Sequence, residues 1–186
     1  MQKVDVYKLI ERMAALIRSE ERKRCTEMGL QVVHLQVMDY LSRCNKYSNT
    51  PVALTNYLGM TKGTVSQTLL LLERKGFVRK EADLADKRMV HLYLTEEGQL
   101  MLGQAYPSDL FSNAGLFLEA HNPDLTEEPF INALTALQKA HKSNSFGLCK
   151  TCKFFTHTND GFLCGLTKET LTQSDSEKIC QEHTLL

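Results

Sequence analysis

The stretch TKGTVSQTLLLLERKGFVRKEADLADKRMVHLYLTEEG, residues 61–98, decides the fold of this chain. Its first half predicts an amphipathic helix with Thr61 as the N-cap and Gly76 at the end. Its second half contains two runs of strand-forming residues, 77–79 and 90–94, on either side of a polar stretch. We therefore expect a helix followed directly by a β-hairpin with a long charged tip.

The residues just before this stretch predict a second short helix at a tight turn. Thr50 is a suitable N-cap, Pro51 suits the first helical position, and Gly59 suits the end. Only Gly59 and Met60 separate this helix from the cap residue Thr61. Two short helices joined by such a turn are typical of a helix-turn-helix, and the hairpin that follows makes the unit a winged helix.

Apolar residues at helical spacing predict further helices on both sides of this unit. Two precede it, over residues 4–24 and 31–44. Another begins near Thr95 and either continues past Pro107 with a kink or restarts after it, and a last one covers residues 126–142. The predicted fold class is therefore mainly α: a winged helix-turn-helix with a helical region suited to dimerisation and a small C-terminal segment.

The charge of the chain is balanced, with 22 Lys plus Arg against 22 Asp plus Glu, which excludes a polybasic nucleic-acid binder. A local excess remains over residues 61–88, where seven basic residues stand among four acidic ones. No apolar run approaches the roughly 18 residues that span a bilayer. The start, MQKVDVYKLIERM, also lacks the order of a signal peptide. We therefore expect a cytoplasmic protein without a membrane partner.

The composition changes after Ser143, in a tail that holds four of the six cysteines. These four are Cys149, Cys152, Cys164 and Cys180. The first two form a C-x2-C pair, a spacing that lets both sulfurs face one metal ion. A segment of about 40 residues is too small for a core of its own and needs a staple or a docking surface. We therefore expect a metal-stapled C-terminal segment.

Zn²⁺ is the favoured metal, and an iron–sulfur cluster held by the same four thiolates is the alternative, because the spacing does not separate them. His183, three residues after Cys180, could replace one cysteine as a ligand. Unliganded thiols, disulfides and a redox-active pair are the competing interpretations. Disulfides are disfavoured in the cytoplasm, and a thioredoxin-like pair needs a βαβ unit that the sequence does not offer.

The order of these motifs resembles the MarR family of bacterial transcription regulators. The resemblance covers roughly residues 4–142 and rests on LQVMDYL, TPVALTNYLGM, the T-x-x-T-V-S helix with its L-E-x-K-G-x-V exit, and the D-x-x-D-x-R wing that closes in L-T-x-x-G. It implies a DNA-binding function and no enzymatic activity. A thiol oxidoreductase built on the C-x2-C pair and a winged helix used only for protein contact remain as rivals.

Small polar residues at the start of a helix that enters the major groove can bond to phosphates and base edges. The candidates on this helix are Thr61, Lys62, Thr64, Ser66 and Gln67. Gln67 stands where family members often carry Arg, which implies a different base preference. In the wing, Arg88 resembles the minor-groove arginine of the family, and Asp86 is placed to orient it by a charge-assisted bond. Lys87 stands where many relatives have another Arg.

The resemblance also implies a homodimer that reads a pseudo-palindromic operator in double-stranded DNA. It assigns residues 1–30 and 97–142 to dimerisation, 31–96 to the DNA-binding domain and 143–186 to the cysteine-rich tail. The alternative for the flanking helices is that they only complete the core of a monomer. The tail is either structural or a sensor whose metal occupancy alters its packing against the dimerisation helices.

Many relatives respond to a small-molecule or redox effector near the junction of these regions. Candidates by region are Cys25, Cys44, His34 and Tyr47. Lone buried cysteines usually behave as small apolar residues, so packing is the favoured interpretation for Cys25 and Cys44.

Overall fold

The computed structural model describes residues 5–84, 86–141, 145–158 and 161–185. The predicted helix start at residue 4 and residues 142–144, where the last predicted helix meets the tail, lie outside the described residues. The helices are α1 (Val6–Glu27), α2 (Val32–Arg43), α3 (Pro51–Leu58), α4 (Lys62–Arg74), α5 (Glu96–Ala105), α6 (Ser108–His121), α7 (Glu128–His141) and the one-turn α8 (Gln173–Ser176). The strands are β1 (Val78–Ala82), β2 (Val90–Leu94), β3 (Gly147–Leu148), β4 (Phe155–Thr158), β5 (Gly161–Cys164), β6 (Thr170–Leu171) and β7 (Ile179–Cys180).

Threonine caps fix the starts of three helices of the winged helix. The side-chain oxygens of Thr50, Thr61 and Thr95 accept hydrogen bonds from backbone N–H groups in the first turns of α3, α4 and α5. Gly59 ends α3 in the left-handed conformation, with φ of 63°, which glycine adopts without steric cost. Pro107 ends the helix that precedes it, and α6 restarts immediately afterwards.

The wing is the antiparallel hairpin β1–β2, in which Val78 lies opposite Leu94 and Ala82 opposite Val90. Its base is held against α5 at Gly98. A Cβ atom at this position would lie 2.1 Å from the carbonyl oxygen of Phe77, so only glycine fits. This close approach is the physical reason for the glycine in the L-T-x-x-G sequence that ends the wing.

The core lies between α2, α3, α4 and the inner face of the wing. Its most deeply buried apolar residues include Val37, Met38, Leu54, Leu72 and Leu92. By contrast, α6 and α7 contain no buried residue, and α1 contains only Cys25. In the part of the chain that the structure describes, these helices therefore do not complete a monomer core. No helix there is both long enough and apolar enough to cross a membrane.

The tail forms small antiparallel sheets rather than helices. Strands β4, β5 and β6 make one sheet, and β3 pairs with β7. The tail is docked on the α2–α3 loop (residues 44–50), where Ile179 enters the core at 4% exposure. It touches α7 where Gln138 donates a hydrogen bond to the carbonyl oxygen of Ser145. Within the described residues, the tail buries the apolar side chain of Ile179 in the winged helix rather than against the dimerisation helices.

Candidate nucleic-acid interface and cysteine site

One face of α4 is polar and fully open to solvent. The residues on it are Thr61, Lys62, Thr64, Ser66 and Gln67, and all five are exposed. The opposite face carries Val65, Leu69 and Leu72 into the core. The burial of these three side chains fixes the rotation of the helix, so the polar residues are presented outward together.

The N-terminus of α4 is suited to a phosphate group. Thr61 Oγ1 accepts from the Thr64 N–H at 3.2 Å, and the two hydroxyls lie 2.9 Å apart. The remaining N–H groups of the first turn and the positive end of the helix dipole favour an anion. Lys62 adds a full positive charge at the same end.

Arg88 projects from the wing tip with its side chain 94% exposed. The Asp86 carboxylate accepts from the Arg88 backbone N–H at 3.0 Å and from its Nε at 3.3 Å. The guanidinium is thus oriented by a neighbour while its remaining donors stay open. Lys87 beside it is also exposed. Both wing residues named from the sequence therefore lie on the accessible tip.

The four tail cysteines line one cavity of about 660 Å³. Its walls come from the tail, the α2–α3 loop and the wing, to which Asp83 and His91 belong. Cys152 Sγ accepts from the Thr184 N–H at 3.4 Å. The fold therefore gathers cysteines that are up to 31 positions apart in the sequence around one space.

The electrostatic environment of these thiols differs from one to the next. Burial raises the pKa of Cys149 to about 11, and the other three thiols add to the effect. Burial also raises the pKa of Cys180. For Cys164, burial acts in the same direction, but hydrogen bonds from Thr167 and Leu166 outweigh it and lower the pKa.

The thiols are near one another without forming a closed metal centre. Within the described residues, no group of three or more His, Cys, Asp or Glu side chains has the arrangement of a formed metal site. Binding a single ion at this cavity would therefore require the thiols to draw together. The donor set itself, four cysteine sulfurs, suits Zn²⁺ or an iron–sulfur cluster.

His183 does not line the cavity of the four cysteines. Its Nδ1 lies 2.7 Å from the Ser145 hydroxyl and its Nε2 lies 2.9 Å from the Thr151 hydroxyl. The ring packs against Gly147, where a Cβ atom would come within 2.5 Å of it. Because both ring nitrogens already have partners, His183 braces the tail in this structure and is not placed as a ligand.

The residues considered for an effector lie in different surroundings. Cys25 and Cys44 are buried in the core, which agrees with a packing role. His34 is also buried, and its Nδ1 accepts from the Gln31 N–H at 3.0 Å. Tyr47 lines the cysteine cavity beside Lys46 and Glu169. The structure does not bring these four residues into one site.

Thiol titration should separate the two classes of cysteine. Burial raises the pKa of Cys25, and raises that of Cys44 to about 12, so at about pH 8 each is almost entirely the unreactive thiol. Because metal removal is expected to unfold the tail, we expect its four thiols to react with a thiol reagent in the presence of a chelator, and these two to react only after the core unfolds. Fast labelling of Cys25 or Cys44 in the native protein would contradict the core placement.

Some residues that organise this region carried no recognisable signal in the sequence. Ser48 and Asn49 lie between two predicted helices, and His91 lies in the predicted strand over residues 90–94. In the structure, His91 Nδ1 lies 2.6 Å from Asn49 Oδ1, and Ser48 Oγ accepts from the Gln181 N–H at 2.8 Å. These are contacts between distant segments, which periodicity and capping rules do not address.

The exposed polar helix and the hairpin beside it define a winged helix-turn-helix protein. Residues 28–89, which contain the helix-turn-helix and most of the wing, match the model of the MarR family. This part of the chain is therefore similar to the MarR family.

Two curated relatives and one solved structure are similar to this chain. The chain is 43% identical over 56 residues to the transcriptional regulator HosA of Escherichia coli, which is 30% of this chain and 42% of HosA. It is 27% identical over 107 residues to the uncharacterized HTH-type transcriptional regulator YkoM of Bacillus subtilis, covering 56% of this chain and 66% of YkoM. The S. aureus MepR–DNA complex is similar with a TM-score of 0.52 at 20% identity, covering 76% of this chain and 98% of MepR. The chain thus spans less than half the length of HosA, and the similarity to MepR concerns the fold.

Proposed function

We propose that this protein is a sequence-specific DNA-binding transcription regulator that acts as a homodimer. The observation that carries the proposal is the exposed polar face of α4 beside a wing whose tip presents Arg88. The helix would enter the major groove and the wing would reach the minor groove or the backbone. Similarity to transcriptional regulators, and to a fold solved with DNA in MepR, supports this assignment.

The helices outside the winged helix support the dimer. Exposed apolar residues lie on α1, α6 and α7, among them Leu9, Met13, Phe117, Phe130 and Leu134. A cleft of about 320 Å³ between α1 and α7 is lined almost entirely by such side chains. Apolar surface of this extent marks an interaction site, and a two-fold partner would bury it. The same dimer would place two recognition helices on successive half-sites of a pseudo-palindromic operator.

The tail is proposed to hold a metal at Cys149, Cys152, Cys164 and Cys180, with Zn²⁺ favoured. Support comes from the cavity that all four cysteines line. A metal there would tie together segments that otherwise have only two- to four-residue strands. An iron–sulfur cluster held by the same four thiolates remains the alternative.

An enzymatic role is not part of this proposal. The relatives found are transcription regulators, and the C-x2-C cysteines face a cavity shared with the wing. A winged helix used only for protein contact is the main rival. It predicts that a pool of random DNA duplexes is not retained by the protein, whereas a regulator selects a subset of them.

Replacing Arg88 with Ala tests the DNA interface. Because Arg88 is almost fully exposed, its loss should leave folding unchanged and weaken binding to a duplex selected by the wild type by about 1–3 kcal/mol, roughly 5- to 150-fold. The measurement is a fluorescence-anisotropy titration at fixed salt. Lys150→Ala, which removes the same charge from an exposed tail position, is the control and should bind as the wild type does. Equal affinity of the Arg88→Ala variant would remove the wing from the interface.

A further inference from the structure

The tail enters the winged helix through strand β7 and the residue after it. Neighbouring residues of a strand point to opposite sides, and here Ile179 goes into the core while Cys180 lines the cysteine cavity. The Ile179 carbonyl oxygen accepts from the Asn45 N–H at 2.9 Å. Gln181 donates its backbone N–H to Ser48 Oγ and its side-chain amide to the Tyr47 carbonyl oxygen, each at 2.8 Å. The cysteine cavity and the α2–α3 loop are thus joined by hydrogen bonds on adjacent residues.

The same loop holds the second strand of the wing. The Asn49 carbonyl oxygen accepts from the Leu92 N–H at 2.7 Å, and Asn49 Oδ1 lies 2.6 Å from His91 Nδ1. Ser48, directly before Asn49, is fully buried. Its carbonyl oxygen accepts from the Tyr40 hydroxyl at 2.7 Å, which fixes the loop to α2. A displacement of the loop at Ser48 would therefore be passed to the wing strand.

From His91 the contacts continue to the wing tip. His91 Nε2 lies 3.0 Å from the Asp83 carboxylate, whose other oxygen accepts from the Asp86 N–H at 2.8 Å. Asp86 in turn orients Arg88. Close polar contacts, with the Ser48–Asn49 peptide bond as one covalent link, thus connect the residue after Cys180 with the arginine at the wing tip.

We propose that the cysteine tail positions the wing of its own subunit through this relay, Gln181–Ser48/Asn49–His91–Asp83. The inference rests on the proposed DNA-binding and metal-binding functions, and it specifies how metal binding affects DNA binding. When the metal holds the four thiols together, strand β7 is fixed. Strand β7 then fixes the α2–α3 loop, and the loop holds the wing in the orientation that presents Arg88. Metal loss therefore weakens DNA binding within each subunit, without any change in the spacing of the two recognition helices.

The test compares four full-length proteins: the wild type, Ser48→Ala, Gln181→Ala and the control Lys46→Ala. Lys46 lies on the same loop and also reaches the tail, through an exposed ion pair with Glu169, but it is outside the relay. Each protein is studied with Zn²⁺ and after chelation. Zinc content, amide hydrogen exchange of β2 and anisotropy with a duplex selected by the wild type are measured together.

In the wild type and in Lys46→Ala, stripping Zn²⁺ should raise exchange at the Leu92 N–H and weaken DNA binding by about tenfold or more. In Ser48→Ala and Gln181→Ala, exchange should already be raised with Zn²⁺ bound, and stripping should change affinity by less than about twofold. The relay is overturned if both variants keep wild-type wing exchange and the full response to stripping.

The two proposals fail in different measurements. If none of the four proteins binds zinc or iron, the metal site is refuted. The relay is then still decided by comparing wing exchange in Ser48→Ala and Gln181→Ala with that in Lys46→Ala. If each chain binds one zinc but its removal does not change hydrogen exchange in the wing, the relay is refuted and the metal site is retained. Failure of the wild type to select any duplex would refute the DNA-binding function, whatever the wing exchange shows.

Discussion

Removing the metal is expected to unfold the tail while the winged helix stays folded. Strands β3 to β7 are short, and the tail has few buried apolar side chains of its own beyond the Ile179 anchor. Structural zinc sites contribute on the order of 10–16 kcal/mol of folding free energy in small domains. Because docking at Ile179 already supplies part of the stability here, we expect a loss of several kcal/mol in the tail, with a smaller loosening of the wing strand β2 that the α2–α3 loop holds.

Hydrogen exchange of residues 147–180, followed by mass spectrometry before and after chelation, measures this effect. Cys149→Ser should reproduce it and lower the metal content, because Cys149 is the most buried of the four tail thiols. Cys25→Ala is the matched control: it removes a thiol from the winged-helix core and should leave the metal content at the wild-type level. A tail that keeps wild-type protection in the Cys149→Ser protein would mean that docking alone folds it.

Leu134→Lys is expected to separate the dimer. Leu134 lies on α7 in the apolar cleft against α1 and is half exposed in the single chain. In a two-fold interface each substitution occurs twice, and an unpaired charge held in apolar surroundings costs several kcal/mol. We expect dimerisation to weaken by at least about a hundredfold, or roughly 3 kcal/mol, and DNA affinity to fall with it.

Sedimentation velocity over a range of protein concentrations measures the dimer, and circular dichroism checks that the helices persist. Leu134→Met keeps the apolar character and the approximate volume, so it should remain dimeric. If Leu134→Lys sediments as the wild type does, the α1–α7 surface is not the dimer interface.

The winged helix could be predicted from the sequence almost element by element because local rules determine it. Thr50 and Thr61 cap helices where the sequence predicts caps, α5 begins at the predicted place after Thr95, and the predicted second wing strand coincides with β2. Caps, glycine ends and apolar periodicity act over a few residues, so one sequence is enough to recognise them. The exposure of the five polar residues on α4 follows from the same periodicity.

The tail could not be predicted to the same degree. Its strands are two to four residues long, too short to show an alternating pattern. The decisive contacts, Ile179 in the core and Gln181 on Ser48, join residues more than a hundred positions apart. His183 also looked like a spare metal ligand, because spacing alone cannot show that Ser145 and Thr151 already occupy its ring nitrogens.

The placement of the tail changes what a metal there would do. If the tail packed against the dimerisation helices, a bound metal would control the spacing of the half-sites that the dimer reads. The tail instead docks on the α2–α3 loop and faces the wing across the cavity. A bound metal would therefore support the winged helix of its own subunit. Any effect of metal or oxidation should therefore be strongest on contacts made by the wing.

The most direct test of the DNA-reading function is the binding of the full-length protein to a duplex selected from a random pool, titrated over a range of salt concentrations. We predict that the logarithm of the association constant falls linearly with the logarithm of salt concentration. We also predict protection of two half-sites about one helical turn apart. Failure to enrich any duplex, or an affinity independent of salt, would contradict the assignment of α4 and the wing as a DNA interface.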